Sequence, residues 1–174
     1  MKAATLVSVE EYLNTTYRPD CDYVDGEVLK RNLGERDHSN LQTELAVYFR
    51  NRKREWKAFA YVEQRIQVSN RRFRIPDVCV LVGKDNTDPI FRRPPFICIE
   101  VLSKDDTLEG LQDKIDDYLK FGVAYVWVIN PRSRRAWAYT QDGIAEAKDG
   151  ILRTENPALT VPLPEISSAL DEQE

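Results

Sequence analysis

Two acidic residues stand where an ionised carboxylate is poorly tolerated. Asp77 follows Pro76 and leads directly into Val78-Cys79-Val80-Leu81-Val82, while Glu100 lies between Phe96-Ile97-Cys98-Ile99 and Val101-Leu102. An unpaired carboxylate in such strands is costly, so each requires a cation, a set of hydrogen-bond donors or a raised pKa. Pro76 cannot donate to a central ladder, which puts Asp77 at a strand mouth or bulge, where side chains are re-aimed toward clefts. An ion pair with one of the chain's arginines meets the same requirement, so the two acids alone leave a structural pair and a functional site both open.

Scarcity narrows the chemistry. One histidine, His38, and three cysteines, Cys21, Cys79 and Cys98, cannot build a His-rich or Cys-rich zinc site or a ferredoxin cluster, so any metal must be held by oxygen. A Ser-His-Asp hydrolase would depend on His38, and no G-x-S-x-G elbow accompanies it. Lys114 falls beside Tyr118 on the border of a helical apolar stripe, where a lysine can lie along a sheet and set its ammonium near a strand end; a snorkelling surface lysine fits the same pattern. Glu27, just past an Asp-Gly turn, and Glu63, on the polar side of a strand, are further candidate ligands or hydrogen-bond acceptors, with a solvated strand carboxylate the commoner outcome. His38 shares its helical angle with Leu41 and Leu45 and therefore points inward, toward a site or toward the core.

These residues need elements to position them. Ser8 with Glu11 forms a capping box for a short first helix. Asp25-Gly26 between Tyr23-Val24 and Val28-Leu29 predicts a hairpin. Asp37 is the expected cap of a long helix running to about Trp56 on Leu41, Leu45, Tyr48 and Phe49. Alternation from Phe59 to Val68 predicts one strand, and a turn at Ser69-Asn70 leads into RFRIPDVCVLV, whose apolar half reads as a strand buried on both faces. FICIEVL predicts a second such strand. Thr107 to Phe121 predicts an amphipathic helix with Leu108, Leu111, Ile115, Tyr118 and Leu119 on its stripe, stopped at Gly122. AYVWVIN and RRAWAYT follow as strands, AEAKDGILRTE as a hairpin around Asp149-Gly150, and residues 157–174 as a peripheral, acidic tail.

The 174 residues, 42% of them apolar, suit a single domain, 1–174, with its core at about 21–140. Three widely spaced cysteines indicate a reducing compartment, hence the cytoplasm. Glu10 and Glu11 arrive before any seven-residue apolar run, so no secretory leader is expected, and no run approaches the ~20 apolar residues of a spanning helix. The net charge of −4 is the residue of 25 basic and 29 acidic side chains. Basic clusters at Arg50 to Arg54, Arg71-Arg72-Arg74, Arg92-Arg93 and Arg132-Arg134-Arg135 allow a local phosphate-binding face despite that total; a solvated surface is their plainer reading.

Taken together, YVDGEV, HSNLQTEL, RIPDVCVL, FICIEVLSKDD and DKIDDYLKFGVAYVWVINP resemble the PD-(D/E)XK phosphodiesterase superfamily, and more closely its bacterial Uma-type branch of restriction endonuclease-like proteins. The superfamily's lysine, two residues after the acid, is replaced here by Leu102; Lys114 on the following helix is the position that matches the branch. The resemblance implies an α/β restriction-endonuclease-like fold, a mixed β-sheet flanked by helices with an extra N-terminal helix and hairpin. It also implies a Mg²⁺- or Mn²⁺-dependent endonuclease acting on DNA, with Asp77 and Glu100 as metal ligands and Lys114 as the third catalytic residue, no organic cofactor, no membrane, and a homodimer suited to two-strand cleavage. A catalytically inactive nucleic-acid-binding or protein-interaction module on the same scaffold is the alternative, and hydrolysis of another phosphate ester the runner-up reaction.

Overall fold

The computed structural model describes residues 6–32 and 34–171. The chain opens with α1 (Val9–Asn14), whose Ser8 cap accepts a hydrogen bond from the Glu11 amide as the capping box requires. The hairpin β1 (Cys21–Val24) and β2 (Glu27–Lys30) turns through Asp25 at φ 52° and Gly26 at φ 108°, both in the left-handed region that this tight turn demands. α2 (Arg36–Asn51) follows and buries Leu41, Leu45, Tyr48 and Phe49. It starts from Glu35 with Asp37 inside its first turn, and it breaks at Arg52 before a single further turn, α3 (Lys53–Trp56), so the expected unbroken helix capped by Asp37 is not what forms. Arg52 stacks its guanidinium 3.5 Å above the Tyr48 ring at that break.

The expected strand from Phe59 to Val68 is two strands in two sheets. β3 (Ala58–Val62) ends where Glu63 takes a φ of 50°, and β4 (Ile66–Ser69) pairs instead with β5 (Arg72–Arg74). The next apolar run divides likewise: β5 stays in the small sheet, and β6 (Val78–Val82) begins beyond Ile75-Pro76-Asp77 in the large one. β7 (Ile97–Val101), α4 (Leu108–Phe121), β8 (Tyr125–Asn130), β9 (Arg135–Thr140) and β10 (Gly143–Glu146) continue the large sheet, whose order is β10-β9-β8-β7-β6-β3. Every pair in it is antiparallel except β7 and β8, which α4 connects as a crossover. The small sheet is β2-β1-β5-β4. Tyr12, Tyr23 and Phe73 stack between it and α1.

Alternation across β6 and β7 sorts the core into two halves. Val78, Val80, Ile97, Ile99 and Val101 enter the half that holds Leu41, Leu45 and Phe49 of α2. Cys79, Leu81 and Cys98 enter the half that holds Ile115 and Tyr118 of α4. By the same period of two, Glu100 falls on the α4 side. Thr107 caps α4 by accepting from the Gly110 amide, and Gly122, at φ 107°, ends it with its amide on the Tyr118 and Leu119 carbonyls. Leu108, in the first turn, is exposed rather than part of the stripe.

The C-terminal region departs most from expectation. Asp149-Gly150 does not close a hairpin between its flanks: β10 pairs back to β9, and β11 (Ile151–Arg153) pairs with β12 (Thr160–Pro162). Leu159, Val161, Leu163, Ile166 and Leu170, from β12, α5 (Leu163–Ser167) and the final turn, are buried against α2 in the main core. The segment after residue 157 is therefore structural, because the α2 side of the sheet would otherwise stand open. Residues 172–174 of the acidic tail lie outside the described residues.

Candidate active site

The β6–β7 register creates the site. Val78 pairs with Ile99, Cys79 with Cys98 and Val80 with Ile97, so one further step sets Asp77 opposite Glu100. Both are buried, at 4% and 5% exposure. Asp77 sits just before β6, where Pro76 interrupts pairing, and its backbone carbonyl is held by the Gln42 side chain at 3.0 Å and the Glu63 amide at 3.1 Å. Its carboxylate accepts from the Val101 amide at 2.7 Å, from Arg31 at 3.0 Å and lies 3.2 Å from His38 Nε2. Glu100 accepts from Lys114 Nζ at 3.0 Å and from the Tyr118 hydroxyl at 2.7 Å. Lys114 and Tyr118 are one helical turn apart and so share a face of α4.

The two carboxyls are driven in opposite directions. Burial alone would raise Asp77, but the His38 hydrogen bond and charge and the Val101 amide outweigh it, holding this carboxyl below its usual range. Burial pushes Glu100 up, the nearby Asp77 charge adds to that, and Lys114 and Tyr118 offset only part. Lys114 would be lowered by burial, yet Glu100, Asp22 and Asp77 keep it above its ordinary value, so it is an ammonium and not a neutral base. His38 is raised by its bond to Asp77 against the opposing effect of burial; its Nδ1 is buried without a hydrogen-bond partner. Like-charged neighbours with divergent pKa values are a common arrangement in hydrolytic sites.

Asp77, Glu100, Lys114, His38 and Arg31 line one small polar pocket of about 20 Å³, which adjoins a cleft of about 170 Å³ bordered by Lys30, Asn32, Asp106 and Thr107. A larger cavity of about 420 Å³ lies at the other ends of β6 and β7, against Val82, Lys84, Arg93 and Phe96, and no carboxylate lines it. Among the described residues no cluster of three or more His, Cys, Asp or Glu side chains offers a complete ligand set. Two carboxylates still fit a hard cation such as Mg²⁺, which keeps several waters and often takes only one or two protein carboxylates.

Of the six residues singled out in sequence, the structure gathers Asp77, Glu100, Lys114 and His38 directly. Glu63 joins through Arg31 Nη1, 3.4 Å away. Glu27 does not: it is exposed at the turn end of β2, whereas the other end of that strand, at Lys30 and Arg31, reaches the pocket. Arg31 and Tyr118 were not singled out. Tyr118 carried a signal, since it stands four residues after Lys114; Arg31, in the polar run Lys30-Arg31-Asn32, carried none. Several basic clusters prove to be consumed within the fold. Arg72 pairs with Asp25, Asp113 and Asp117, Arg74 with Asp22, Asp113 and Asp117, Arg134 with Asp171, and Arg135 with Glu146. Of these only Arg74 borders the cleft, and its guanidinium is already taken by three carboxylates. No helix among the described residues is long and apolar enough to cross a membrane.

The fold and site can be set beside known proteins. The crystal structure of "a putative nuclease belonging to DUF820" from Anabaena variabilis ATCC 29413 superposes with a TM-score of 0.80 at 22% identity, covering 94% of this chain and 99% of that one. That likeness establishes the fold. No curated protein matches the sequence. The Uma2 family, described as "Putative restriction endonuclease", matches residues 9–171. The match takes in β1 to β12 and every residue of the pocket, and the chain therefore belongs to the Uma2 family.

Proposed function

We propose that this chain is a divalent-cation-dependent endonuclease that hydrolyses phosphodiester bonds in DNA, with Asp77 and Glu100 holding Mg²⁺ or Mn²⁺. The observation that carries this reading is the Asp77–Glu100 juxtaposition across β6 and β7 with the Lys114 ammonium 3.0 Å from Glu100, in one buried polar pocket. Bound there, the cation supplies charge to the phosphoryl oxygens and lowers the pKa of a coordinated water. The chain's own groups do the rest. The Val101 amide fixes Asp77, Tyr118 fixes Glu100, and Lys114, charged and half-anchored, stabilises the negative charge that develops on the phosphate. The nuclease description of the family supports the reaction class. Cleavage of two strands suits a homodimer, and the three free, buried cysteines suit a reducing cytoplasm.

One observation favours the non-catalytic module instead: Arg31, His38, Lys114, Tyr118 and the Val101 amide already satisfy both carboxylates. Calorimetry with Mn²⁺ on the wild type and Asp77→Ala, joined to nicking of supercoiled DNA, separates the readings. The endonuclease requires Mn²⁺ binding that Asp77→Ala loses and nicking that Glu100→Ala abolishes. DNA binding with neither metal binding nor nicking would establish the module.

A further inference from the structure

Of the two basic side chains on Asp77, Arg31 comes from a loop and has somewhere else to go. Arg31 lies one residue past β2, with its side chain only 11% exposed, and its guanidinium spans Asp77 at 3.0 Å and Glu63 at 3.4 Å. The backbone beneath it is held: the neighbouring Asn32 side chain crosses the pocket mouth to Ser103 Oγ at 3.2 Å and Asp106 Oδ1 at 2.8 Å. Any change of partner by Arg31 is therefore a matter of its own side-chain torsions. Two buried carboxylates facing each other repel strongly, and each demands a positive partner. Glu100 has Lys114, which reaches it from α4.

A divalent ion shared by Asp77 and Glu100 would need an oxygen that now accepts from another group. The Val101 amide belongs to β7 and cannot withdraw without breaking the strand. His38 sits on that same oxygen, Oδ2, so Oδ1, which accepts from Arg31, is the one that can be freed. Arg31 can withdraw because Glu63, half exposed just past β3, offers it a second carboxylate outside the pocket. We propose that Arg31 is a stand-in cation that neutralises Asp77 until a divalent ion binds, then gives up Asp77 Oδ1 and stays on Glu63. It is a positioning residue, and it sets the affinity for metal by competing for the same oxygen. The proposal rests on the metal-dependent reading given above.

Calorimetric titration with Mn²⁺ of the wild type, Arg31→Gln and Arg31→Lys tests it. Removing a competing charge beside a buried carboxylate should tighten Mn²⁺ binding about tenfold in Arg31→Gln, while Arg31→Lys stays within about threefold of the wild type. Equal or weaker binding by Arg31→Gln overturns the stand-in role and leaves the metal site intact. Absence of Mn²⁺ binding in all three proteins removes the metal-dependent reading and the stand-in role together. A measurement on the wild-type chain covers the case in which Arg31→Gln fails to fold. With labelled arginine, NMR on Mg²⁺ addition should show the Arg31 guanidinium resonance shifting and its hydrogens exchanging faster. A resonance unchanged in the Mg²⁺-saturated protein overturns the proposal.

Discussion

Helix α4 is pinned by two buried ionic clusters that use similar residue types in opposite arrangements. In one, Arg74 is the centre, 2% exposed, with Nε on Asp117, Nη1 on Asp22 and Nη2 on Asp113. In the other, the carboxylates of Asp77 and Glu100 are the centre, and Arg31, His38 and Lys114 surround them. Asp113 and Asp117 bracket Lys114 on the helix, so the first cluster sets where the second receives its lysine. The difference is one of exchangeability. A guanidinium is permanently charged and presents a rigid fork, so carboxylates arranged around it have nothing better to bind. Carboxylates at the centre are different, because on the proposed reading a small hard ion could replace one of the cations around them.

That contrast can be broken at its strongest point. Arg74→Met should lose about 3–5 kcal/mol of stability, since it strands Asp22 in the interior without its cation and leaves the buried Asp117 with Arg72 alone. Urea unfolding measures it, and a midpoint equal to the wild type would deny Arg74 its role as a clamp. Asp77→Asn, by contrast, should lose Mn²⁺ binding while shifting the same midpoint by less.

The next largest effect separates the clamp from the chemistry on a single helix. Lys114→Ala should slow DNA nicking by about 10²–10³-fold, the size expected on removing one preorganised charge from a developing anion. Lys120→Ala, exposed on the same helix, should leave nicking unchanged. Equal losses in the two variants would place the effect in overall charge instead of in the pocket. Tyr118→Phe is smaller. It deletes one hydrogen bond to Glu100, worth about 1 kcal/mol, while Lys114 still satisfies the carboxylate, so Mn²⁺ affinity should fall less than tenfold by calorimetry.

The acids of both clusters were unequally legible in the sequence. Asp77 and Glu100 announce themselves because each interrupts a run of apolar strand residues, and Thr107, Gly122 and Asp25-Gly26 mark their turns and caps by local chemistry alone. Asp113 and Asp117 give no such signal, since each follows another polar residue on a helix, and Asp22 sits in a short strand with no long apolar run around it; all three are brought together by Arg74, some 40 to 50 positions away in the chain. Arg31 was illegible for the same reason. The division of β3 from β4 was hidden by an accident of phase: Ala60, Val62, Ile66 and Val68 keep the period of two straight through the left-handed turn at Glu63. Asp149-Gly150 carried the hairpin signature, but β10 and β11 find better partners in β9 and β12. A local signal sets a turn; which strands then pair is decided by the sheet.

The smallest effect tests the comparison through pH. Burial alone would raise the Asp113 carboxyl, but Arg74 and Arg72 outweigh it and hold it below its ordinary value of 3.8. A carboxyl depressed in the folded state contributes stability that is present above its unfolded pKa and is lost as pH falls through the folded one. Asp113→Asn should therefore be less stable than the wild type near neutrality, and the gap should close as the solution is acidified below about pH 4. Glu100 has the opposite sense: a carboxyl raised by burial favours the folded state below its unfolded pKa, and that advantage is lost as pH rises through the folded value. Asp113 in the cation-centred cluster thus stabilises the folded protein through its charge, while Glu100 in the acid-centred one is pushed by burial toward its protonated form. Urea midpoints of the wild type and Asp113→Asn across that acid range decide the point, and a gap that stays constant with pH would show that Asp113 contributes packing and not charge.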